Sequence, residues 1–287
     1  VLDFSIDTLS LYTDSHFTLT SHAGLDAPPL RVSAYENAGE DGGTIGAAFY
    51  GSRLVTLTGT VRAQDGAGTA DYNQARRNLA YMCRIRKDSS GFPTMTPFSF
   101  TTLDGVAYSF SGQIKTFQID SVYPTWGKFI ITIVCPDPNI YGAAFTSGAV
   151  TRPSGGTVSF PLIFDPTFEF GTGTGGNASA YNYGNADAPL LITLRGVGSN
   201  PYIYSPLRGK NMKLNYTTTL SSDVIVIDMK NKTIVLNGST SLLSYKDVDS
   251  DWFSAQAGVV SPIQFNTSSS SDGMTMEVTG NVAYVGI

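Results

Sequence analysis

The residues with the strongest formal resemblance to a chemical motif are Gly171, Gly173 and Gly176, in the run Gly171-Thr172-Gly173-Thr174-Gly175-Gly176. A G-x-G-x-x-G loop binds a pyrophosphate only when it follows a strand and opens a helix, whose N-terminus faces the anion. Here Asn-Ala-Ser-Ala-Tyr-Asn-Tyr-Gly-Asn follows, which cannot form such a helix, so the run reads as a loop. His16 and His22 are the only histidines. A structural zinc site wants four close Cys or His ligands, and this pair offers two. No G-x-S-x-G elbow supports a Ser-His-Asp triad. Carboxylates such as Asp120, Asp137, Asp165, Glu169, Asp187, Asp223 and Asp228 are scattered, many beside Gly, Pro or Asn, where Asp is favoured for turn geometry. Asp247, Asp249 and Asp251 alternate as in a calcium loop, but Trp252 stands where that loop needs Gly and its closing Glu is missing. Tyr245, Trp252 and Phe253 suggest a sugar-stacking platform or, as commonly in a small sandwich, core packing. Cys83 and Cys135 read as two buried thiols. The sequence thus nominates no catalytic, cofactor-binding or metal-ligating residue and implies no cofactor.

The composition points to a β-rich scaffold. Of 287 residues, 41% are hydrophobic and only 14% charged. Soluble domains carry roughly 25% charged residues. Such a low value suits a subunit that covers much of its surface with neighbours. The net charge of −5 disfavours phosphate-backbone binding, which needs Lys and Arg to displace counterions. A mildly acidic wall instead lets DNA pass without sticking. No apolar run spans a membrane, and Val1–Tyr12 lacks the basic and apolar regions of a signal peptide. Five Asn-x-Ser/Thr sequons, at Asn177, Asn215, Asn231, Asn237 and Asn266, are what chance expects in a chain so rich in these residues.

The elements follow from periodicity. Residues 53–63 alternate Val55, Leu57 and Val61 against Thr56, Thr58 and Thr60, which predicts a half-buried strand. Residues 71–87 carry Tyr72, Ala75, Leu79, Met82 and Cys83, with Ile85 and Arg86 near the end, at helical spacing. Asp71 is the expected N-cap. Strands are expected over 98–103 and 106–120 around an Asp104-Gly105 turn. A strand over 127–135 is expected to be buried on both faces, stopping at Pro136 and Pro138. The first 50 residues show weak periodicity, with loops around Gly24, Pro28 and Pro29 and from Gly39 to Gly46. Residues 139–156 read as an interdomain segment. Beyond it, short strands are expected near 157–164, 188–196, 201–204, 210–217, 222–228, 232–237, 242–245, 260–265 and 274–286. Their spacing indicates a sandwich or jelly roll.

Several fragments, in this order, resemble the distal tail protein family of long, non-contractile-tailed bacteriophages. They are Arg53 to Gly59, followed by Ala75-Arg76-Arg77-Asn78-Leu79; Cys135-Pro136-Asp137-Pro138; Asn182-Tyr183-Gly184-Asn185-Ala186-Asp187-Ala188-Pro189; Gly196 with Asn200-Pro201; Asp228 through Asn237-Gly238; and Trp252-Phe253 with Gly258. Residues 139–181 and the last 20 match less well, and the large insertion that carries an extra binding module in some members is missing. The resemblance implies a mainly β virion protein of the tail tip. Residues 1–140 would be a barrel- or sandwich-like ring domain with one helix, and residues 141–287 a galectin-like β-sandwich. It implies a homo-oligomer, a hexameric ring, that joins the tail tube protein to tail hub, fibre and receptor-binding proteins, with DNA only in transit. Exposed acids would line that channel. Galectin sugar sites use His among their ligands, and no His follows His22, so the sandwich is expected to be a docking surface. A carbohydrate-binding adhesin acting through the C-terminal sandwich is the alternative function. A polysaccharide-degrading enzyme is a third, needing two close carboxylates in an aromatic cleft.

Overall fold

Strands dominate because β-branched and aromatic residues alternate with hydroxylic ones along most of the chain, a pattern that suits a pleated surface with one buried face. The computed structural model describes residues 2–39, 41–64, 66–153, 176–269 and 272–287. Residues 1–143 with 284–287 form one compact unit and residues 144–283 a second.

In the first unit the strands of four residues or more are β1 (Asp3–Ile6), β2 (Phe17–Ala23), β3 (Leu30–Glu36), β4 (Gly43–Tyr50), β5 (Arg53–Arg62), β6 (Thr96–Thr101), β7 (Ala107–Tyr123) and β8 (Trp126–Cys135). The helix α1 covers Gly68–Met82. Antiparallel pairing runs β2–β5–β8–β7–β6–β1. The path ends at β2 on one side and beyond β1 on the other, so the sheet is open and not a closed barrel. β7 turns the corner: Ala107–Gly112 pair with β6, and Gln113–Tyr123 pair with β8. At Gly112 a Cβ would sit 2.7 Å from Ile133 Cγ2 and 2.8 Å from the Val134 carbonyl oxygen, so only glycine admits this approach. The core stacks Phe4 on Phe100 and Phe98 on Phe110, with centroids 5.8 and 5.3 Å apart. α1 adds Tyr72, Ala75, Leu79 and Met82 to the same core.

The second unit holds β10 (Asn177–Asn182), β11 (Ala188–Arg195), β12 (Tyr202–Ser205), β13 (Lys210–Lys213), β14 (Val224–Asp228), β15 (Thr233–Leu236) and β16 (Val259–Asn266). Two further strands, β9 (Ile140–Thr151) and β17 (Thr275–Tyr284), carry the chain into and out of it. One sheet runs β17–β11–β14–β15, the other β10–β16–β12–β13. Ile192, Leu194, Ile225, Ile227 and Val278 are buried on the first, and Ala180, Ile203, Met212, Ile263 and Phe265 on the second.

The fold is mainly β with one α-helix among the described residues, as expected, but several expectations need correcting. The helix begins at Gly68 and ends at Met82, not over 71–87. Asp71 lies in its first turn and makes no cap; Ala67 occupies the N-cap. Past the helix, Ile85 is exposed, and Arg86 and Lys87 pair with Pro93 and Thr94 as a short ribbon. β8 is buried on one face only: Ile130 is exposed and Val134 half-buried, on an open side shared with Leu54, Thr58, Gln113 and Gln118. The division between the two units falls within the expected interdomain segment, but residues 140–151 of it are the strand β9. Residues 242–245 form a 3-10 turn instead of a strand. The expected strand over 157–164 and the glycine run at 171–175 lie outside the described residues.

Candidate functional site

Arg53 begins β5 in a sequence position that alternation assigns to the buried face, together with Val55 and Leu57. It is fully buried, 1% exposed. A guanidinium carries five N–H donors in a fixed fork, and here all five are used on backbone carbonyls. Nε and Nη2 donate to Pro138 (2.9 and 2.7 Å), Nη1 to Gly24 (2.7 Å) and Asp26, and Nη2 to Val285. No carboxylate forms an ion pair with it among the described residues. Burial pulls its pKa down, opposed by the fields of Cys135, Asp26 and Asp137. Gly24 completes the arrangement with φ +88°; a Cβ there would lie 1.8 Å from the Leu54 carbonyl oxygen. One side chain thus gathers the loop after β2, the end of β8 and the C-terminal residues.

A second polar hub sits in the other unit. Asn182 is fully buried; its Nδ2 donates to Ala186 (2.8 Å) and Gln256 (3.2 Å), and its Oδ1 accepts from the Ala283 and Gly184 amides. A Cβ at Gly184 would stand 1.9 Å from the Ala283 carbonyl oxygen. Asp187 pairs with Arg208 and accepts from the Ala257 amide. Asn200 and Asn237 adopt positive φ of 46° and 51°, which Asn tolerates better than most residues. These are the residues of the Asn182–Pro189, Asn200-Pro201 and Asn237-Gly238 fragments, and their roles are backbone satisfaction and turn geometry.

The residues with possible chemistry lie apart. His16 bridges two carboxylates, Nδ1 to Asp14 at 2.7 Å and Nε2 to Asp71 at 3.2 Å. Both ring nitrogens are thereby taken by acids. Burial disfavours its charged form, but hydrogen bonds to Asp14 and Asp71 outweigh this and raise its pKa. Asp71 is lowered by accepting from the Gln64 amide and from His16. His22 is exposed on β2, opposite Leu57. Asp247 accepts from Asn215 and Lys213, each at 3.1 Å, and from the Asp249 amide, and its pKa is lowered. Asp251 lies 3.9 Å from Lys210. No cluster of three or more His, Cys, Asp or Glu with metal-binding geometry occurs among the described residues. Phe253 is buried and Trp252 half-buried, while Tyr245 packs edge-on against Tyr216, so the three make no shared platform. Asp137 accepts from Tyr141 and Asp228 from the turn amides of Lys230 and Asn231; Asp223 accepts from Asn237 and from the Leu220 and Thr219 amides, which lowers its pKa. Asp165 and Glu169 lie outside the described residues. Cys83 and Cys135 are buried free thiols, each pushed up to about 12 by burial.

Sequence reading missed the most unusual surface. β3 and β4 form a hairpin in which every residue is exposed. Leu30, Val32, Tyr35, Ile45, Phe49 and Tyr50 show between 43% and 71% of their surfaces. A lone two-stranded hairpin is marginal in water, and a run of exposed apolar residues this dense marks an interaction surface. A second surface feature is a groove of about 340 Å³ between α1 and β7, lined by Asn73, Arg76, Arg77, Ala80, Phe117 and Ile119. No helix among the described residues is long and apolar enough to cross a membrane.

With this geometry in hand, comparison with known proteins is informative. Residues 183–280 match the family model for the siphovirus-type tail component, C-terminal domain. The Dit protein of phage SPP1, described as a hub adsorption apparatus paradigm in phages infecting Gram-positive hosts, shares the fold with TM-score 0.69. It is 14% identical, and the match covers 99% of each chain. A chain of the phage P2 baseplate in its activated conformation aligns with TM-score 0.55 and 9% identity, over 97% of this chain and 98% of that one. No curated protein matches. Residues 183–280 thus carry a siphovirus-type tail component C-terminal domain, and over nearly its whole length the chain has the fold of the SPP1 Dit protein.

Proposed function

We propose that copies of this chain associate into a ring, a hexamer, at the distal end of the tail, joining the tail tube to the baseplate or tail-tip and receptor-binding proteins. The observation that carries it is the β3–β4 hairpin. Its six large apolar side chains are exposed, and burial of each would contribute roughly 1.5–3 kcal/mol. Association of identical subunits around a closed axis covers such a surface on every copy. In this reading residues 1–140 form the ring and residues 141–287 a galectin-like sandwich that docks neighbouring tail-tip proteins. The open face of the β2–β5–β8–β7 sheet suits a channel wall. It carries Thr56, Thr58, Thr60, Thr116, Thr132 and Gln118, and its Lys128 stands opposite Asp120. Arg62 stands exposed on the same face of β5.

The test is the assembly state of the full chain by light scattering and electron microscopy. Rings or ring-sized species are expected, and Tyr35→Ser with Phe49→Ser should abolish them without lowering the melting temperature. A wild-type chain that stays monomeric at high concentration, with no rings in an assembled tail, refutes the reading. The adhesin alternative has less support, because its aromatic residues are dispersed between core and separate contacts.

A further inference from the structure

Two features of the first unit lack partners, and their chemistry is complementary. The groove between α1 and β7 has a basic side and an apolar wall. Arg76 Nε is buried with no hydrogen-bond partner, although the guanidinium lies 5.5 Å from the Tyr72 ring centroid. A buried donor left unmade costs about 1–3 kcal/mol, so the site gains from an acceptor. Arg77 is exposed and donates only to a neutral group, Gln74 Oε1, at 2.8 Å. Neither arginine forms an ion pair among the described residues. The nearest acids in sequence are engaged elsewhere: Asp71 by His16 and the Gln64 amide, and Asp88 by the Ser90 and Phe92 amides of its own turn. Phe117 and Ile119, both half-buried, form the apolar wall.

The hairpin supplies the opposite. Glu36 ends β3 and Asp41 follows in the connection to β4; both are exposed and unpaired in ion bridges. Ile45, 71% exposed, shares a face of the ribbon with Glu36, while Tyr35, 66% exposed, lies on the other face. An acidic tip with an apolar residue on one face therefore matches a groove with two arginines and an apolar wall in sign and polarity.

We propose that the hairpin tip of one copy docks in the α1–β7 groove of a second copy, with Glu36 and Asp41 meeting Arg76 and Arg77 and with Ile45, on the same face of the ribbon as Glu36, against Phe117 and Ile119. The proposal rests on the self-association argued above and specifies its contact. The contact is heterologous, joining different patches on the two copies, and such contacts generate rings when the rotation closes. Charge pairing sets the register and the direction of the contact, and it makes assembly salt-dependent.

The test compares assembly of the full chain with two charge-reversal variants, Arg76→Glu with Arg77→Glu, and Glu36→Arg with Asp41→Arg. Each is expected to assemble at least about tenfold more weakly than wild type. Mixing the two variants in equal amounts should restore assembly, because each tip then faces a groove of opposite sign. Where a reversal lowers the melting temperature, Arg77→Gln and Asp41→Asn, both at exposed positions, carry the test. If wild type assembles and the reversals assemble equally well, the docking is overturned while ring formation stands. If wild type never assembles, both fail.

Discussion

Replacing Arg53 with methionine should unfold the first unit far more readily than its size change suggests. Methionine fills similar volume but donates nothing, so the carbonyls of Gly24, Asp26, Pro138 and Val285 lose their partner together. These residues are only partly covered, so water can refill some positions, and the lower end of the unsatisfied-group cost applies, about 1 kcal/mol for each carbonyl. Four carbonyls then cost about 4 kcal/mol. For a unit of this size that lowers the melting temperature by roughly 8–16 °C. Lysine keeps the charge and three donors but loses the planar fork, so its loss should be about half as large. Differential scanning calorimetry on the full chain is the assay, with the transitions fitted separately because two units need not melt together. Hydrogen exchange at the Ile287 amide, which donates to the Leu25 carbonyl, reports the same clasp locally. If Arg53→Met shifts stability by less than about 1 kcal/mol and leaves Ile287 exchange unchanged, the fork is dispensable and the reasoning is wrong.

Gly184→Ala must push a Cβ into the Ala283 carbonyl, backbone against backbone, and should destabilise the second unit by about 3 kcal/mol in urea denaturation. His16 has its pKa raised by two carboxylates, so its contribution to stability is complete below the unfolded value near 6.5 and lost as pH rises through the folded value. A His16→Asn variant should therefore lag wild type most in acid and converge with it in alkali, and a constant gap across pH would contradict the bridge. With both thiols pushed up to about 12, Cys83 and Cys135 should resist iodoacetamide in the native protein at neutral pH and react once it is unfolded. Prompt native labelling of either would show that its burial is transient.

Strands that bury one face were legible as sequence. β5 alternates cleanly, and Val55, Leu57 and Val61 are in the core, whereas β8, apolar at Ile130 and Val134 as well, reads as buried on both faces and buries one. β3, β4 and β9 were not legible, for one physical reason: period two arises only when one side is buried. β3 and β4 are exposed on both faces, and β9 is diluted by Gly142, Ala143, Ala144 and Gly148. The helix limits were misjudged because Arg86 and Lys87 continue a plausible helical spacing, while the chain spends them on a ribbon with Pro93 and Thr94. Alternation places Arg53 on the buried face of β5, but its acceptors were not legible, since they lie up to 232 positions away in the sequence. The Asn237-Gly238 and Asn200-Pro201 fragments entered only as pieces of the family resemblance, and Asn237, Gly238 and Asn200 adopt positive φ.

The five bonds of Arg53 also set an order of events during synthesis. The first unit recruits residues 284–287, so Val285 cannot reach the guanidinium until the ribosome has translated everything in between. The nascent first unit must wait with that bond unmade while the inserted unit, residues 144–283, emerges and folds. Long-range closures of this kind are late and slow. A chain truncated before Val285 would therefore hold an arginine fork with one donor unmade, a mark by which it differs from a chain that reaches that residue.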